Sequence, residues 1–361
     1  MTVGSPGAAP ALSLAEYAAR ACAELDGAVW DFIAGGAGEE RTLAENTEAF
    51  DRVRLRPRVL TGSGTPLTAT RILGRYWAAP LAVAPMGYHT LVHPEGEVAA
   101  VRAAGAAGIP FIASTFAGRA FEELAAAAAA PLWLQVYCFR DRARTRQLIT
   151  RAEQAGFEAV VLTVDAPRLG RRLRDLRNGF RLPPGVVPAN LDGGDFSSPV
   201  GHALSEFEPA MDWTVVEWLR SVSALPVLLK GILTGDDARR AVYAGADGVI
   251  VSNHGGRQLD GVPATFDVLP EVVEAVAHSC PVLVDGGIRR GRDVLACLAQ
   301  GADAVLLGRP VLHGLAVGGQ QGVAGVLQVV LDELVDAMAL SGIASADEAG
   351  PGALQSIQRT L

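Results

Sequence analysis

Eight short apolar runs recur along the chain, and each is bounded by glycine, proline or a polar residue. Continuous apolar runs of this length are typical of strands that are buried on both faces, as in parallel sheets. Segments with helical spacing separate the runs, and several of them end in glycine, as helix C-termini often do. The runs span residues 80–87, 110–116, 131–137, 159–166, 226–232, 248–256, 281–287 and 304–310.

This alternation predicts an α/β fold, a closed (β/α)8 TIM barrel. The alternative is a doubly wound open sheet, but its phosphate signature GxGxxG does not follow the first run. We expect one domain over residues 13–361, with the barrel proper at about 80–342 and a flexible tail at 1–12. An N-terminal helical extension precedes the barrel, because the segment from Ser13 to Gly36 has helical spacing, with Ser13 as N-cap and Gly35-Gly36 as stop.

One connection is much longer than the others. About forty residues rich in Pro, Gly and Asp follow the fourth run, and loops of this length in compact domains are usually lids or disordered segments. We therefore expect a lid at about 175–212. Near the C-terminus, apolar residues recur on one helical face, which predicts a helix packed on the barrel surface or on another subunit.

Net charge and composition limit the classes of partner, cellular location and metal site that we expect. The net charge of −8 argues against nucleic acid and acidic membranes as partners. No apolar run is long enough to span a membrane, and the N-terminus does not resemble a signal peptide. The 4 cysteines are far apart, which favours reduced thiols and a cytoplasmic location. The 6 histidines are scattered, so we expect no metal site.

Polar residues follow the apolar runs where an active site of a barrel would lie, at the carboxyl ends of the strands. Any one of them could form a salt bridge at the barrel rim, but such residues at all eight strand ends indicate an active site. The strand ends carry Pro85, Met86, Gly87, Ser114, Gln135, Tyr137, Thr163, Asp165, Arg172, Lys230, Ser252, His254, Asp285 and Arg309.

The last two strand ends predict a phosphate site. "DGGIRRG" and "LLGRP" offer glycine N–H groups, a helix start, and Arg289 and Arg309 as bidentate donors. Barrels commonly bind phosphate in the loops after strands seven and eight. For Gly286 and Gly287 alone, a tight turn is the alternative. The pattern indicates a phosphorylated ligand.

The stretch "SNHGGRQLD" at residues 252–260 directly follows a buried run, and taken alone it could be a turn beside a satisfied histidine. Together with "LAEN", "HPEGE", "TVDAPRLGRR", "LLKGI", "DGGIRRG" and "GRP", it resembles the FMN-dependent L-2-hydroxy acid oxidases and dehydrogenases. The resemblance covers residues 13 to 342. Within the family the chain is most similar in look to the actinobacterial 4-hydroxymandelate oxidases.

The resemblance implies that FMN is the cofactor and that a homotetramer forms. It places the isoalloxazine ring on the backbone of residues 84–87, the phosphate on the last two loops, and Lys230 near the flavin N1–O2 edge. The implied cofactor-binding residues are Ala84, Pro85, Met86, Gly87, Ser114, Gln135, Thr163, Lys230, Ser252, Asp285, Gly286, Gly287, Arg289, Gly308 and Arg309.

The resemblance also implies which residues bind the substrate and which one takes its proton. Arg172 and Arg257 would clamp its carboxylate, and Tyr137 would donate a hydrogen bond to it. His254 would be the base, backed by Asp165. The implied reaction oxidises a small L-2-hydroxy acid to the 2-keto acid and gives H2O2 from O2. Whether His254 takes the α-proton or the hydroxyl proton stays open, as does a dehydrogenase with another electron acceptor.

Two positions depart from the family pattern. Phe32 stands where the family has tyrosine, which removes a hydroxyl near the substrate carboxylate and predicts a bulky or aromatic substrate of the mandelate type; neutral drift is the alternative. Gly87 stands where the family has alanine, which opens space near the reacting atoms. That space is the basis of a further hypothesis, in which the bound keto acid is decarboxylated before release.

Overall fold

A closed barrel of eight parallel strands forms the centre of the computed structural model, which describes residues 11–356. Each strand is hydrogen-bonded to the next one in sequence, and the last pairs with the first. All eight predicted runs are barrel strands, so the (β/α)8 prediction is confirmed. The strands are β1 (Leu81–Val83), β2 (Phe111–Ala113), β3 (Leu132–Val136), β4 (Ala159–Thr163), β5 (Val227–Ile232), β6 (Gly248–Val251), β7 (Val282–Asp285) and β8 (Ala304–Leu307).

The N-terminal extension is helical, but its first segment is two helices and not one. Ser13 caps α1 (Leu14–Glu24), where its Oγ accepts from the Glu16 N–H at 3.2 Å. The chain becomes extended at Leu25, and Asp26 caps α2 (Gly27–Ala34) by accepting from the Ala28 N–H at 2.9 Å. An aspartate that satisfies free N–H groups favours a new helix over continuation of the old one.

A third helix, α3 (Arg41–Glu48), completes the extension. Residues 1–10 of the predicted tail lie outside the described residues. The helices that follow within and around the barrel are α4 (Gly96–Ala106), α5 (Phe121–Ala127), α6 (Arg142–Ala155), α7 (Leu173–Asn178), α8 (Pro199–Glu206), α9 (Thr214–Val222), α10 (Gly235–Tyr243), α11 (Thr265–Val276), α12 (Gly291–Ala299) and α13 (Arg309–Ser341).

The barrel helices cover the outside of the strands. The C-terminal helix α13 kinks at Gly318 and Gly319 and packs against α1, α4 and α12. Its predicted apolar face is buried on the barrel at Leu327, Val330, Leu334 and Met338.

The long connection after β4 is partly helical. It contains α7 and α8, and α8 begins where the Ser198 Oγ accepts from the Gly201 N–H at 3.1 Å. Phe207, directly after α8, stacks on Tyr137 with ring centroids 4.4 Å apart, so the connection packs against the carboxyl end of the barrel. Its role as a lid stays a prediction.

The opposite end of the barrel is closed by apolar side chains. A hairpin of Thr70–Ile72 and Arg75–Trp77 precedes β1, and its Trp77 is fully buried. The ring of Trp77 lies 5.4 Å from that of Trp133, in β3. Above them, the barrel interior is filled by Ala82, Ile112, Val161, Leu228, Ile250, Leu283 and Leu306. This packing leaves the carboxyl ends of the strands for the polar groups that face a cavity.

Candidate active site

A cavity of about 1270 Å³ opens at the carboxyl ends of the strands. Most of the residues predicted to bind cofactor or substrate line it. They are Ala84, Pro85, Met86, Gly87, Ser114, Lys230, Asp285, Gly286, Gly287, Arg289, Gly308 and Arg309 from the cofactor set, and Phe32, Tyr137, Arg172, His254 and Arg257 from the substrate set. The other four predicted residues, Gln135, Thr163, Asp165 and Ser252, contact these lining residues.

His254 and Asp165 form a pair below the cavity. The Nδ1 atom of His254 lies 2.9 Å from the Oδ1 atom of Asp165. Burial lowers the pKa of His254, and the cations of Lys230 and Arg172 lower it further, against the opposing effect of Asp165. Burial alone would raise the pKa of Asp165, but His254 and Lys230 hold it below its usual value. The imidazole is therefore neutral near pH 7, and Nε2 is the nitrogen that can accept a proton.

Two guanidiniums also line the cavity, that of the buried Arg172 and that of the half-buried Arg257. Arg257 donates through Nη1 to the Gly35 carbonyl at 2.8 Å, and Arg172 has its Nη1 4.0 Å from Asp175 Oδ2. Burial lowers the pKa of Arg257 well below its usual value, and Arg172 and Arg309 add to the effect. Few carboxylates balance the positive charge of this cluster, so the cluster favours binding of an anion.

Tyr137 is half-buried and lies close to both guanidiniums. Burial raises the pKa of Tyr137, and Asp165 raises it further, which outweighs the opposing effects of Arg172 and Arg257. Its phenol therefore keeps its proton at neutral pH and can donate a hydrogen bond into the cavity.

Lys230 is held at the centre of the site. Its Nζ donates to Ser252 Oγ at 2.8 Å and lies 3.1 Å from Asp285 Oδ2. The second carboxylate oxygen of Asp285 is buried and has no hydrogen-bond partner within residues 11–356. Because a buried polar atom is normally satisfied, this oxygen marks a position for a ligand donor in the cavity.

Gln135 connects the ends of three neighbouring strands. Its Oε1 accepts from Ser114 Oγ at 3.2 Å, and its Nε2 donates to Thr163 Oγ1 at 3.0 Å. Because Gln135 and Thr163 support Ser114 from below, the structure brings all three together, with Ser114 facing the cavity.

The loops after β7 and β8 form a glycine-rich cradle. Gly286 and Gly287 have φ of 102° and 78°, a region that favours glycine, and Gly308 precedes the first turn of α13. Arg309 donates to the carbonyls of Ile33 and Gly35, both at 3.0 Å. Burial, with repulsion from Arg289 and Arg172, lowers the pKa of Arg309 to about 9.

Several residues of the cavity wall were not found from the sequence. They are mostly apolar, and they carry no polar signal at a strand end that could have marked them. Phe116 stacks on Tyr88 with centroids 5.6 Å apart, and its ring lies 5.7 Å from that of Tyr137. The missed wall residues include Ile33, Tyr88, Leu91, Val92, Phe116, Leu169, Pro199, Ile288 and Leu312.

From residue 11 to residue 356, no group of three His, Cys, Asp or Glu side chains could hold a metal ion. Over the same range, no helix is long and apolar enough to cross a membrane.

Comparison with known proteins gives close matches. The family of FMN-dependent dehydrogenases matches residues 21–356. The chain belongs to this family. The 4-hydroxymandelate oxidase of Amycolatopsis orientalis is 49% identical over 342 residues, which cover 92% of this chain and 95% of that protein. The L-lactate oxidase of Nostoc sp. (strain PCC 7120 / SAG 25.82 / UTEX 2576) is 47% identical, over 92% of this chain and 94% of that protein.

A solved structure of mandelate oxidase with (S)-4-hydroxymandelic acid has the same fold, with a TM-score of 0.92 and 48% identity over 96% of this chain and 98% of that one. The resemblance carried by the sequence motifs is thus confirmed. The protein is an oxidoreductase, and its cofactor is FMN.

The residues of the cavity fit this cofactor. The glycine cradle and the half-buried Arg289 and Arg309 suit a phosphate, because Arg309 pairs with no carboxylate in the described part of the chain. The unpartnered oxygen of Asp285 can accept from a ribityl hydroxyl, and Lys230 beside it offers positive charge to a ring that becomes anionic on reduction.

Proposed function

We propose that the protein oxidises an L-2-hydroxy acid with an aromatic side chain, of the mandelate type, to the 2-keto acid. In this reaction the substrate loses two electrons and two protons, and O2 takes them up to form H2O2. The observation that carries the proposal is the His254–Asp165 pair, which lies at the same cavity as the guanidiniums of Arg172 and Arg257 and an aromatic wall.

Arg172 and Arg257 hold the substrate carboxylate. Arg172 is buried and Arg257 is half-buried, and the two guanidiniums repel each other until an anion lies between them. Tyr137, protonated at neutral pH, donates a further hydrogen bond to the substrate. Charge-assisted, bidentate contacts of this kind orient a planar anion as well as binding it. They set the carbon that bears the hydroxyl next to His254.

His254 accepts the proton. Its Nε2 is neutral near pH 7, and Asp165 at Nδ1 fixes the tautomer and stabilises the imidazolium that forms. FMN, when bound, supplies a two-electron acceptor that O2 can reoxidise. Lys230, with Ser252 and Asp285 around it, keeps a positive charge at the point where negative charge arrives.

The wall around the substrate side chain is apolar and aromatic. Phe32 presents a ring without a hydroxyl, and the stacked rings of Phe116 and Tyr88 line the same cavity. A Cβ on Gly87 would lie 3.0 Å from the Cβ of Phe116, so Phe116 fills part of the space that the missing methyl leaves. These contacts favour a substrate with a phenyl side chain over glycolate, which has only a hydrogen at that position.

The test is anaerobic bleaching of the bound flavin by glycolate, L-lactate, both enantiomers of mandelate, and 4-hydroxymandelate. We expect (S)-mandelate and 4-hydroxymandelate to bleach it with kcat/KM at least about tenfold above that of glycolate, a difference of about 1.4 kcal/mol. Admission of air should then give H2O2. Bleaching without H2O2 would indicate another acceptor, and an acid one carbon shorter than the keto acid would indicate decarboxylation.

Three further proposals come from the family resemblance, from the separated cysteines and from the length of the connection after β4, in that order. We infer a homotetramer, a cytoplasmic location and a lid function for residues 175–212. Static light scattering of the purified holoenzyme tests the first, and cell fractionation tests the second. The stacking of Phe207 on Tyr137 supports the third, because it connects the residue after α8 directly to a substrate-binding ring.

A further inference from the structure

The backbone that carries His254 has an unusual conformation. His254, Gly255 and Gly256 have φ of 59°, 63° and 75°, so three consecutive residues are left-handed. A histidine in this region is strained, and such strain persists only where surrounding contacts fix the conformation. The contacts that hold this loop therefore determine where the imidazole lies.

A buried amide pair holds the loop. Asn46 of α3 donates from Nδ2 to Asn253 Oδ1 at 2.9 Å, and Asn253 donates back from Nδ2 to Asn46 Oδ1 at 2.8 Å. Both side chains are at most 3% exposed. Asn253 Oδ1 also accepts from the Gly256 N–H at 3.1 Å, which closes the left-handed turn.

The same asparagine supports the loop after β7. Asn46 Oδ1 accepts from the Thr265 N–H at 3.4 Å, and Thr265 Oγ1 donates to the Asp285 carbonyl. The backbone of Gly287 packs directly on Asn46, because a Cβ at Gly287 would lie 1.8 Å from the Asn46 carbonyl oxygen. One residue of the N-terminal extension thus contacts the supports of two loops at the cavity.

We propose that Asn46 is a positioning residue that sets the His254 loop and the Gly286–Gly287 loop in register with each other. Its side chain acts on His254 through Asn253, and on the phosphate cradle through Thr265. This inference rests on the proposed function, in which His254 is the base and the cradle holds the FMN phosphate. It assigns to the N-terminal extension a role in positioning the base and in supporting the phosphate cradle.

Asn46→Ala is the test. A displaced base should lower kcat per bound FMN by about 10- to 100-fold, since misplacement of about 1 Å can reduce rates this far. Loss of support for the cradle should raise the FMN dissociation constant about tenfold, measured as flavin fluorescence released when the holoenzyme is diluted. KM should stay within about threefold, because Arg257 is fixed by the Gly35 carbonyl and Arg172 by another loop.

Three further variants keep the test decisive. Asn46→Asp preserves size, but it replaces the donor to Asn253 with an oxygen that can also carry a negative charge, so it serves as a second disruption of the amide pair if the alanine variant does not fold. The double variant Asn46→Ala/Asn253→Ala should have the kcat of the more impaired single variant, because residues that act through one contact are not additive. Glu45→Ala, an exposed change on the same helix, should leave kcat and FMN affinity unchanged.

The proposal is overturned if kcat per bound FMN is unchanged in Asn46→Ala and Asn46→Asp, or if only one of kcat and FMN affinity changes. A protein of lower thermal stability with normal kcat per flavin would show a structural role alone. Failure of the proposed function looks different, because His254→Asn would then retain full turnover whatever the Asn46 variants do.

Discussion

The two ends of the barrel are built from the same strands but have opposite chemistry. At the amino end, Trp77 and Trp133 pack ring against ring with no access to water. At the carboxyl end, Lys230 and Asp285 are almost as deeply buried, yet they are charged and face a cavity. Burial of charge costs desolvation energy even where the charges pair, as Lys230 and Asp285 do, so the carboxyl end is less stable than an apolar end would be and gains its chemistry in return. We therefore expect changes at the two ends to affect different measurements.

The largest effect is expected from His254→Asn. Asparagine tolerates the left-handed backbone but cannot accept the proton, so kcat should fall by about 10³- to 10⁴-fold. FMN content and thermal stability should change little. Stopped-flow bleaching of the flavin under anaerobic conditions measures the step directly.

His278→Asn is the matched control for this variant. His278 is exposed and also left-handed, with φ of 61°, so the same substitution tests the backbone effect without the chemistry. It should retain normal kcat. Comparable losses in both variants would mean that His254 acts through its backbone and not through its ring.

At the amino end, Trp77→Ala should reduce stability and leave the chemistry intact. Removal of a fully buried tryptophan leaves a cavity and lowers the free energy of unfolding by about 3–5 kcal/mol. Tyr76→Ala, next to it in the same strand but 62% exposed, should change it by less than about 1 kcal/mol. Thermal unfolding of the holoenzyme gives both values. A fall in kcat per bound flavin in Trp77→Ala would break the division between the two ends.

The pH dependence of kcat/KM tests the role of His254 at the carboxyl end. Burial and the cations of Lys230 and Arg172 lower the pKa of His254 from its usual 6.5, so the base stays deprotonated to more acidic pH. The ascending limb of kcat/KM should therefore have its midpoint below 6.5. Asp165 opposes this shift, so Asp165→Asn should move the limb to still lower pH, along with a lower maximum rate. A limb that moves to higher pH would contradict the assignment.

The sequence predicted the barrel well because strands buried on both faces leave continuous apolar runs, and because polar residues at strand ends stand out against them. It did not predict contacts between distant segments. Asn46 and Asn253 are separated by 207 residues, and no local pattern links them. The break at Asp26 was missed because the apolar spacing continues across it, and Phe116 was missed because an apolar wall residue resembles core.

The smallest effect is expected from Phe32→Tyr, which tests how the cavity wall selects its substrate. Phe32 stacks on Phe180 with centroids 4.4 Å apart, and the Arg257 Cζ lies 5.4 Å from its ring centre. A hydroxyl at this position can add a hydrogen bond to the substrate carboxylate, about 1.5 kcal/mol or tenfold in kcat/KM for lactate. For mandelate, the polar group also replaces apolar contact with the phenyl ring, so the gain should be less than about threefold.

Phe180→Tyr is the control, because that ring lies behind Phe32 in the same stack and does not line the cavity. Its kcat/KM should stay within about twofold for both substrates, as expected for a partly exposed position without a buried partner. Equal gains in kcat/KM for lactate and mandelate in Phe32→Tyr would mean that the residue at position 32 affects only carboxylate binding. A larger gain for lactate would show that position 32 contributes to discrimination between side chains as well.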